Sequence, residues 1–224
     1  VRIMEGFMFR FHPQHQKVQE LLNDKKIGNL DSFIGSFGFP SFPEGDIRYN
    51  KELGGGFLND SGCYPICASR MIFDEEPLSV FYHKYNHPKM DVDVKGTSIL
   101  IYKNNKTANI TYANGNYYQA KYDVWGSDGI ISLDRAYSVP SDFITKINLQ
   151  YNIENSWKGR KNKIIEIPAT DHFLKMIDTF CMEIAGEKKC PFNFEEELLN
   201  QAKVMEAHRR SSDTGKLIHL EELN

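Results

Sequence analysis

Little in this sequence points to a metal, a membrane or a nucleic acid. The 224 residues hold four cysteines, Cys63, Cys67, Cys181 and Cys190, and their spacing matches no zinc signature. His83 and His87 lie four apart, but Pro88 follows them in a segment that reads as a strand, which argues against a helical metal pair. No metal site is expected. No apolar run approaches the length of a membrane span, and Val1-Arg2-Ile3-Met4 does not open a signal peptide. The net charge of −3, from 27 Lys+Arg against 30 Asp+Glu, argues against a nucleic-acid surface. The basic run Lys158 to Lys163 reads as an exposed hairpin or loop. There is no internal repeat, no low-complexity segment, and no GxGxxG fingerprint after a strand. What remains is ordinary: 41% apolar and 25% charged residues, enough for one large domain or two small ones. The cysteines read as reduced thiols in a cytoplasmic protein. The 15 Phe and 11 Tyr suit a sheet with one broad packed face, or a site for a flat or sugar-like ligand.

The chain is organised around Glu52 to Arg70. Gly54-Gly55-Gly56 makes a poor helix interior; such a run serves a tight turn or a close approach. An apolar pattern at helical spacing follows, from Phe57 to Ile72. Asp60 and Tyr64 are four apart, so a helix sets them one turn above the other. Gly62 and Pro65 lie inside the pattern and predict a kink or break near Gly62-Tyr64. Gly62 also leaves room for a ligand or a second helix. On spacing alone, a buried helix behind a glycine loop reads equally well.

Before this stretch, Arg2 to Phe11 reads as a strand already under way, which suggests a piece of a longer protein. Pro13 to Lys26 reads as a helix stopped by Gly28. Leu30 to Phe39 fits either period, with Phe33, Phe37 and Phe39 on one strand parity; we read a strand, then a long loop through Asp46-Ile47-Arg48. After it come strands at Leu78–Tyr85, Val92–Tyr102, Thr107–Tyr112, Tyr117–Trp125, Gly129–Leu133, Ile147–Ile153 and Lys163–Ile167, with turns at Asn104-Asn105, Asn114-Gly115 and Gly126–Gly129. Short connections favour an antiparallel meander. Two helices close the chain, one capped at Thr170 or Asp171 and one at Asn193, before an edge strand near Lys216–Leu220. The expected fold is α+β: a large, mostly antiparallel open sheet with helices packed on one face. The other face is solvated, or it is a subunit interface if its aromatic surface is continuous.

The order of motifs carries a resemblance. Met4 to Gln14 resembles the first strand after the nucleotide domain in glucose–fructose oxidoreductase and inositol dehydrogenase (Gfo/Idh/MocA) proteins. Asp46-Ile47-Arg48, Gly54-Gly55-Gly56 through Asp60, and Gly62-Cys63-Tyr64-Pro65 resemble that family's central motif. Tyr117-Tyr118-Gln119, Trp125 to Gly129, Leu133 to Ala136 and Thr214-Gly215-Lys216 are similar to its later regions. Asp134-Arg135-Ala136-Tyr137 with Pro140 resembles nucleotide-sugar ketoreductases. The resemblance covers nearly the whole chain and implies a substrate-binding and oligomerisation domain over residues 1–224. It implies NAD or NADP held mainly by a preceding Rossmann domain, which also carries a Glu-Lys-Pro lysine; neither element is in this sequence. The chain alone should then neither hold the cofactor well nor turn over. The parent would move hydride between a nicotinamide and a sugar or nucleotide sugar, as a homodimer or tetramer built through the sheet face. The competing reading is a non-catalytic, stand-alone sugar-binding or dimerisation scaffold.

The resemblance also assigns roles. Tyr64 is the implied proton donor or acceptor at the substrate oxygen, where a carbonyl being reduced gains oxyanion character; otherwise it is a packed helix tyrosine. Asp60 accepts from a substrate hydroxyl or orients Tyr64, or else braces the glycine turn. Gly54, Gly55 and Gly56 let the loop approach nicotinamide and sugar, or simply turn. Arg48 contacts a hydroxyl or phosphate, or is exposed. Arg10 and His12 reach the pocket from a strand end, or bond structurally. Tyr117 and Gln119 line it from one strand face, with Tyr118 on the other.

Overall fold

Alternation decides the ambiguous stretch in favour of a strand: Phe33 and Phe37 are buried while their neighbours Ile34 and Ser36 are not. In the computed structural model, which describes residues 1–152 and 159–223, this is β1 (Leu30–Phe39). Its inner face is reached by α2 (Cys63–Phe73). A side chain at Gly35 would meet Pro65 Cβ at 2.7 Å, so the glycine lets the helix lie directly on the strand.

The remaining strands are β2 (Ser79–Asn86), β3 (Asp93–Ile101), β4 (Thr107–Asn114), β5 (Gln119–Gly126), β6 (Gly129–Leu133), β7 (Thr145–Asn152), β8 (Arg160–Ile167) and β9 (Ile218–His219). They form one sheet in the order β8-β7-β6-β5-β1-β4-β3-β2-β9. Every pair is antiparallel except β1 and β4, which run parallel. The expected simple meander is therefore corrected. Asn114-Gly115 does turn the chain, with Gly115 at φ +80°, but it does not close a hairpin. It wraps the end of β1, where Gly115 N and Asn116 N donate to Phe39 O at 2.8 and 3.0 Å, and delivers β5 to the other side of β1. Ile153 and Lys158, part of the expected strand and basic run, lie outside the described residues.

The helices lie on one side. From α1 (Pro13–Asn23), His15 bonds Tyr122 of β5 at 2.9 Å. From α4 (Phe194–Thr214), His208 packs edge-on against Tyr82 of β2. The fourth helix, α3 (His172–Ile184), packs against the turn at Met8–Phe11 and leaves Leu174, Ile177 and Ile184 exposed. The far face of the sheet is mixed. Phe81 pairs with Ile99 near one edge and Trp125 with Ile130 further in, and the exposed Asn109 and Thr111 of β4 lie between the two groups. The aromatic surface on which an interface was conditional is not continuous.

The N-terminal strand expected over Arg2–Phe11 is not formed. Phe7 and Phe9 are buried on alternating positions, which is the parity that suggested a strand. Their backbone bonds locally instead, Phe7 N to Glu5 O and Met8 N to Gly6 O, ending in a 3-10 turn at Met8–Phe11. Arg2 ties this segment to Glu183 of α3 and Glu195 of α4.

Candidate active site

The glycine corner comes to rest against its own chain. Gly55 N donates to Asn50 O and Gly56 N to Arg48 O, at 2.9 and 2.8 Å. A side chain at Gly55 would lie 2.6 Å from the carbonyl oxygens of Arg48 and Asn50, and one at Gly56 would lie 2.5 Å from Asp93 Oδ1. Gly54, at φ +79°, alone faces open space. The close approach that needs Gly55 and Gly56 is thus to residues 47–50 and to Asp93.

The expected kink near Gly62 takes the form of one wide π turn, Leu58–Gly62, before α2 begins at Cys63. Asp93 holds its start, accepting from Leu58 N at 2.6 Å and from Tyr112 Oη at 2.5 Å. Gly62 is required because a Cβ there would lie 2.8 Å from the Tyr112 ring; what comes close is the sheet. Pro65 lies just past this π turn in a continuous helical stretch, and having no N–H it can give none to the carbonyls of the turn before it.

Tyr64 follows directly. Its ring is caged by Phe7, Phe9, Phe37 and Tyr137, at centroid separations of 5.4, 5.8, 5.3 and 6.2 Å. It is half-buried, and among the described residues its hydroxyl finds only the Met8 thioether, at 3.8 Å, a weak acceptor. Burial, helped by Cys63 and Asp60, pushes the phenol up to about 12, so it is a protonated donor at neutral pH. Burial likewise raises Cys67, to about 11, and Cys63 well above its usual range, which leaves both as neutral thiols.

Asp60 does not bond Tyr64. Its carboxylate pairs with Arg48 Nε at 2.9 Å. Arg48 also pairs with Asp46 at 3.1 Å and lies 4.2 Å over the Phe42 ring. The triad Asp46–Arg48–Asp60 therefore braces the loop while standing beside the tyrosine turn. The other expected residues are dispersed. Arg10 is engaged by Glu197 at 2.8 Å and stacked 3.9 Å over Phe192. His12 is buried and caps α1, its Nδ1 accepting from Gln14 N at 3.3 Å. Gln119 points to the far face of the sheet, because its neighbour Ala120 is buried on the helix side. Tyr117 precedes β5 and is 87% exposed.

The residue that reaches the helix side is Tyr118. It neighbours Phe39 at 6.3 Å, and its hydroxyl accepts from Arg135 Nη1 at 2.9 Å. Phe39 touches Phe37 and Phe42 at 4.6 and 5.8 Å. An aromatic strip thus runs from the half-buried Tyr64 over the buried Phe37 to the half-buried Phe39 and Tyr118. Alternation from Gln119 supplied the signal for Tyr118; Phe39 and Phe42 carried none beyond their type. Among the described residues, no three His, Cys, Asp or Glu side chains come together to hold a metal, and no helix is long and apolar enough to cross a membrane.

Known proteins resemble this chain in sequence and in fold. A dTDP-3,4-didehydro-2,6-dideoxy-alpha-D-glucose 3-reductase from Actinomadura kijaniata is 33% identical over 210 residues, covering 92% of this chain and 60% of that protein. A crystal structure of a 3-ketoreductase from the same organism, in complex with NADP and TDP-benzene, superposes with a TM-score of 0.86 at 30% identity, over 95% of this chain and 63% of that one. An aldose-aldose oxidoreductase from Caulobacter crescentus shares the fold at a TM-score of 0.82 and 23% identity, over 97% of this chain and 64% of that one. The chain spans roughly half to three fifths of the first curated relatives it matches. The model of the GFO/IDH/MocA C-terminal domain matches residues 15–132, from α1 through β6, and the chain belongs to that family.

Proposed function

We propose that residues 1–224 form the substrate-binding and oligomerisation domain of a cytoplasmic NAD(P)-dependent oxidoreductase acting on a sugar or nucleotide sugar. The observation that carries this reading is the Tyr64 phenol, held protonated at the head of an aromatic strip with no strong acceptor of its own. The relatives named as dTDP-sugar 3-reductases support the reaction class.

Nothing among the described residues fits a dinucleotide. The sheet has one parallel pair, between β1 and β4, and no strand leads through a glycine fingerprint into a helix. The cofactor therefore belongs to another domain, which we place upstream; when bound, a nicotinamide supplies the hydride. This chain supplies the rest. The aromatic strip stacks the sugar ring, and Tyr64 Oη delivers its proton to the carbonyl oxygen as that oxygen gains charge. In this reading Asp60 acts through Arg48 to hold the turn, and Gly54 is the glycine with room for an approaching ligand.

The test is hydride transfer by the protein joined to its dinucleotide domain, followed by nicotinamide absorbance over a panel of sugars and nucleotide sugars. Tyr64→Phe is expected to lower kcat by about 10²–10⁴-fold with little change in cofactor affinity. Equal turnover in both forms removes Tyr64 from the chemistry.

A further inference from the structure

The arginines of this chain are generally neutralised. Arg2, Arg10, Arg48, Arg70 and Arg210 each pair with a carboxylate. Arg135 is different. It is half-buried, yet no carboxylate among the described residues pairs with it. Its guanidinium lies 4.7 Å over the Tyr118 ring and 5.5 Å from that of Phe143. Nη1 donates to Tyr118 Oη at 2.9 Å and to Ser138 O at 3.4 Å. The Nε–Nη2 edge of the fork makes no hydrogen bond to the described residues.

The backbone beneath it is fixed. Gln14, fully buried on α1, donates from Nε2 to Arg135 O at 2.9 Å. The next residue, Ala136, donates to Ala120 O of β5 at 2.5 Å and accepts at its carbonyl from His15 Nε2 at 2.9 Å. Arg135 is therefore a preorganised cation: chain clamped, side chain held by aromatic faces, one donor edge open. A planar fork in that state suits bidentate recognition of a phosphate. It also occupies the end of the Tyr64 strip remote from the phenol, two residues before Tyr137, whose ring neighbours Tyr64.

We infer that Arg135, with Tyr118, is a phosphate-binding subsite that takes the diphosphate of a nucleotide-linked sugar, while Tyr64 meets the sugar at the other end. The inference deepens the proposed function and rests on it for the source of the phosphate. A dinucleotide cofactor carries the same chemistry, so the probes must separate the two sources.

The test is calorimetric binding to the 224-residue chain of thymidine 5′-diphosphate, thymidine and NADP, with wild type, Arg135→Ala and Arg135→Lys. The diphosphate is expected to bind at least tenfold more tightly than thymidine. Arg135→Ala should erase that advantage, and Arg135→Lys, keeping the charge without the fork, should retain part of it. Thymidine and NADP should be insensitive to either change. If Arg135→Ala does not fold by circular dichroism, Arg135→Lys decides: affinity equal to wild type overturns the subsite. So does a wild-type chain that binds diphosphate no better than thymidine, or an Arg135 dependence confined to NADP. Because no turnover is measured, an active Tyr64→Phe enzyme would refute the proposed chemistry and leave this result standing.

Discussion

Gly55 has no room for a β-carbon. The two carbonyl oxygens 2.6 Å from where a methyl would sit belong to backbone and cannot swing aside. Gly55→Ala is therefore expected to cost about 2–4 kcal/mol, read as a lower urea midpoint; an unchanged midpoint would show that the 47–50 loop gives way. The thiols separate by the same reasoning. Cys63, Cys67 and Cys190 are buried, and burial pushes all three thiols up, whereas Cys181 is exposed. An aromatic disulfide reagent at pH 7.5 should titrate one thiol quickly in the native protein and four after unfolding; two fast thiols would refute this. At this scale the sequence was legible where chemistry is local. The capping oxygens of Asp171 and Asn193, which accept from Leu174 N and Glu196 N at 3.0 Å each, follow from residue type. The partner of Arg10 did not, because Glu197 is 187 positions away and no local pattern reports such a contact.

The π turn Leu58–Gly62 is the element on which the candidate site depends. Its first amide has one partner, the Asp93 carboxylate, which also receives Tyr112 Oη, and Tyr112 Oη in turn meets Tyr82 Oη. Removing that acceptor leaves the Leu58 amide without a partner and the buried Tyr112 hydroxyl with Tyr82 alone, so Asp93→Ala should destabilise by about 1–3 kcal/mol. Asp93→Asn should recover part of the loss, as denaturant titration of both variants would show; equal loss in both would mean that the charge, not the acceptor, holds the turn. Gly62 and Pro65 announced an irregularity in the sequence, but its kind was hidden, since it is set by the Tyr112 ring arriving from another strand. The N-terminal segment shows the converse. Phe7 and Phe9 obey strand parity because both are buried, yet their backbone bonds locally rather than in a ladder.

Across the whole molecule, buried imidazoles tie stability to pH. Burial depresses His15 to about 3, and His12 and His208 to about 4, against about 6.5 in an unfolded chain. As pH falls below 6.5 the unfolded chain takes up protons first, so stability present at neutral pH is lost progressively toward pH 4. Each ring should cost on the order of 2 kcal/mol by pH 5, seen as a fall in urea midpoint between pH 7 and pH 5; a flat profile would mean that protons reach these rings in the folded state. The sheet as a whole was legible strand by strand, because alternation is local. Its order was not, because the place of β1 depends on partners far along the chain. That placement governs how the molecule can be made. β1 ends at Phe39, but its two neighbours arrive only with Thr107–Asn114 and Gln119–Gly126. On a ribosome the strand must wait, unpaired on both edges, while some seventy residues are added, and closing so long a loop slows folding. A nascent chain arrested before β4 would present a bare, phenylalanine-rich edge to its neighbours.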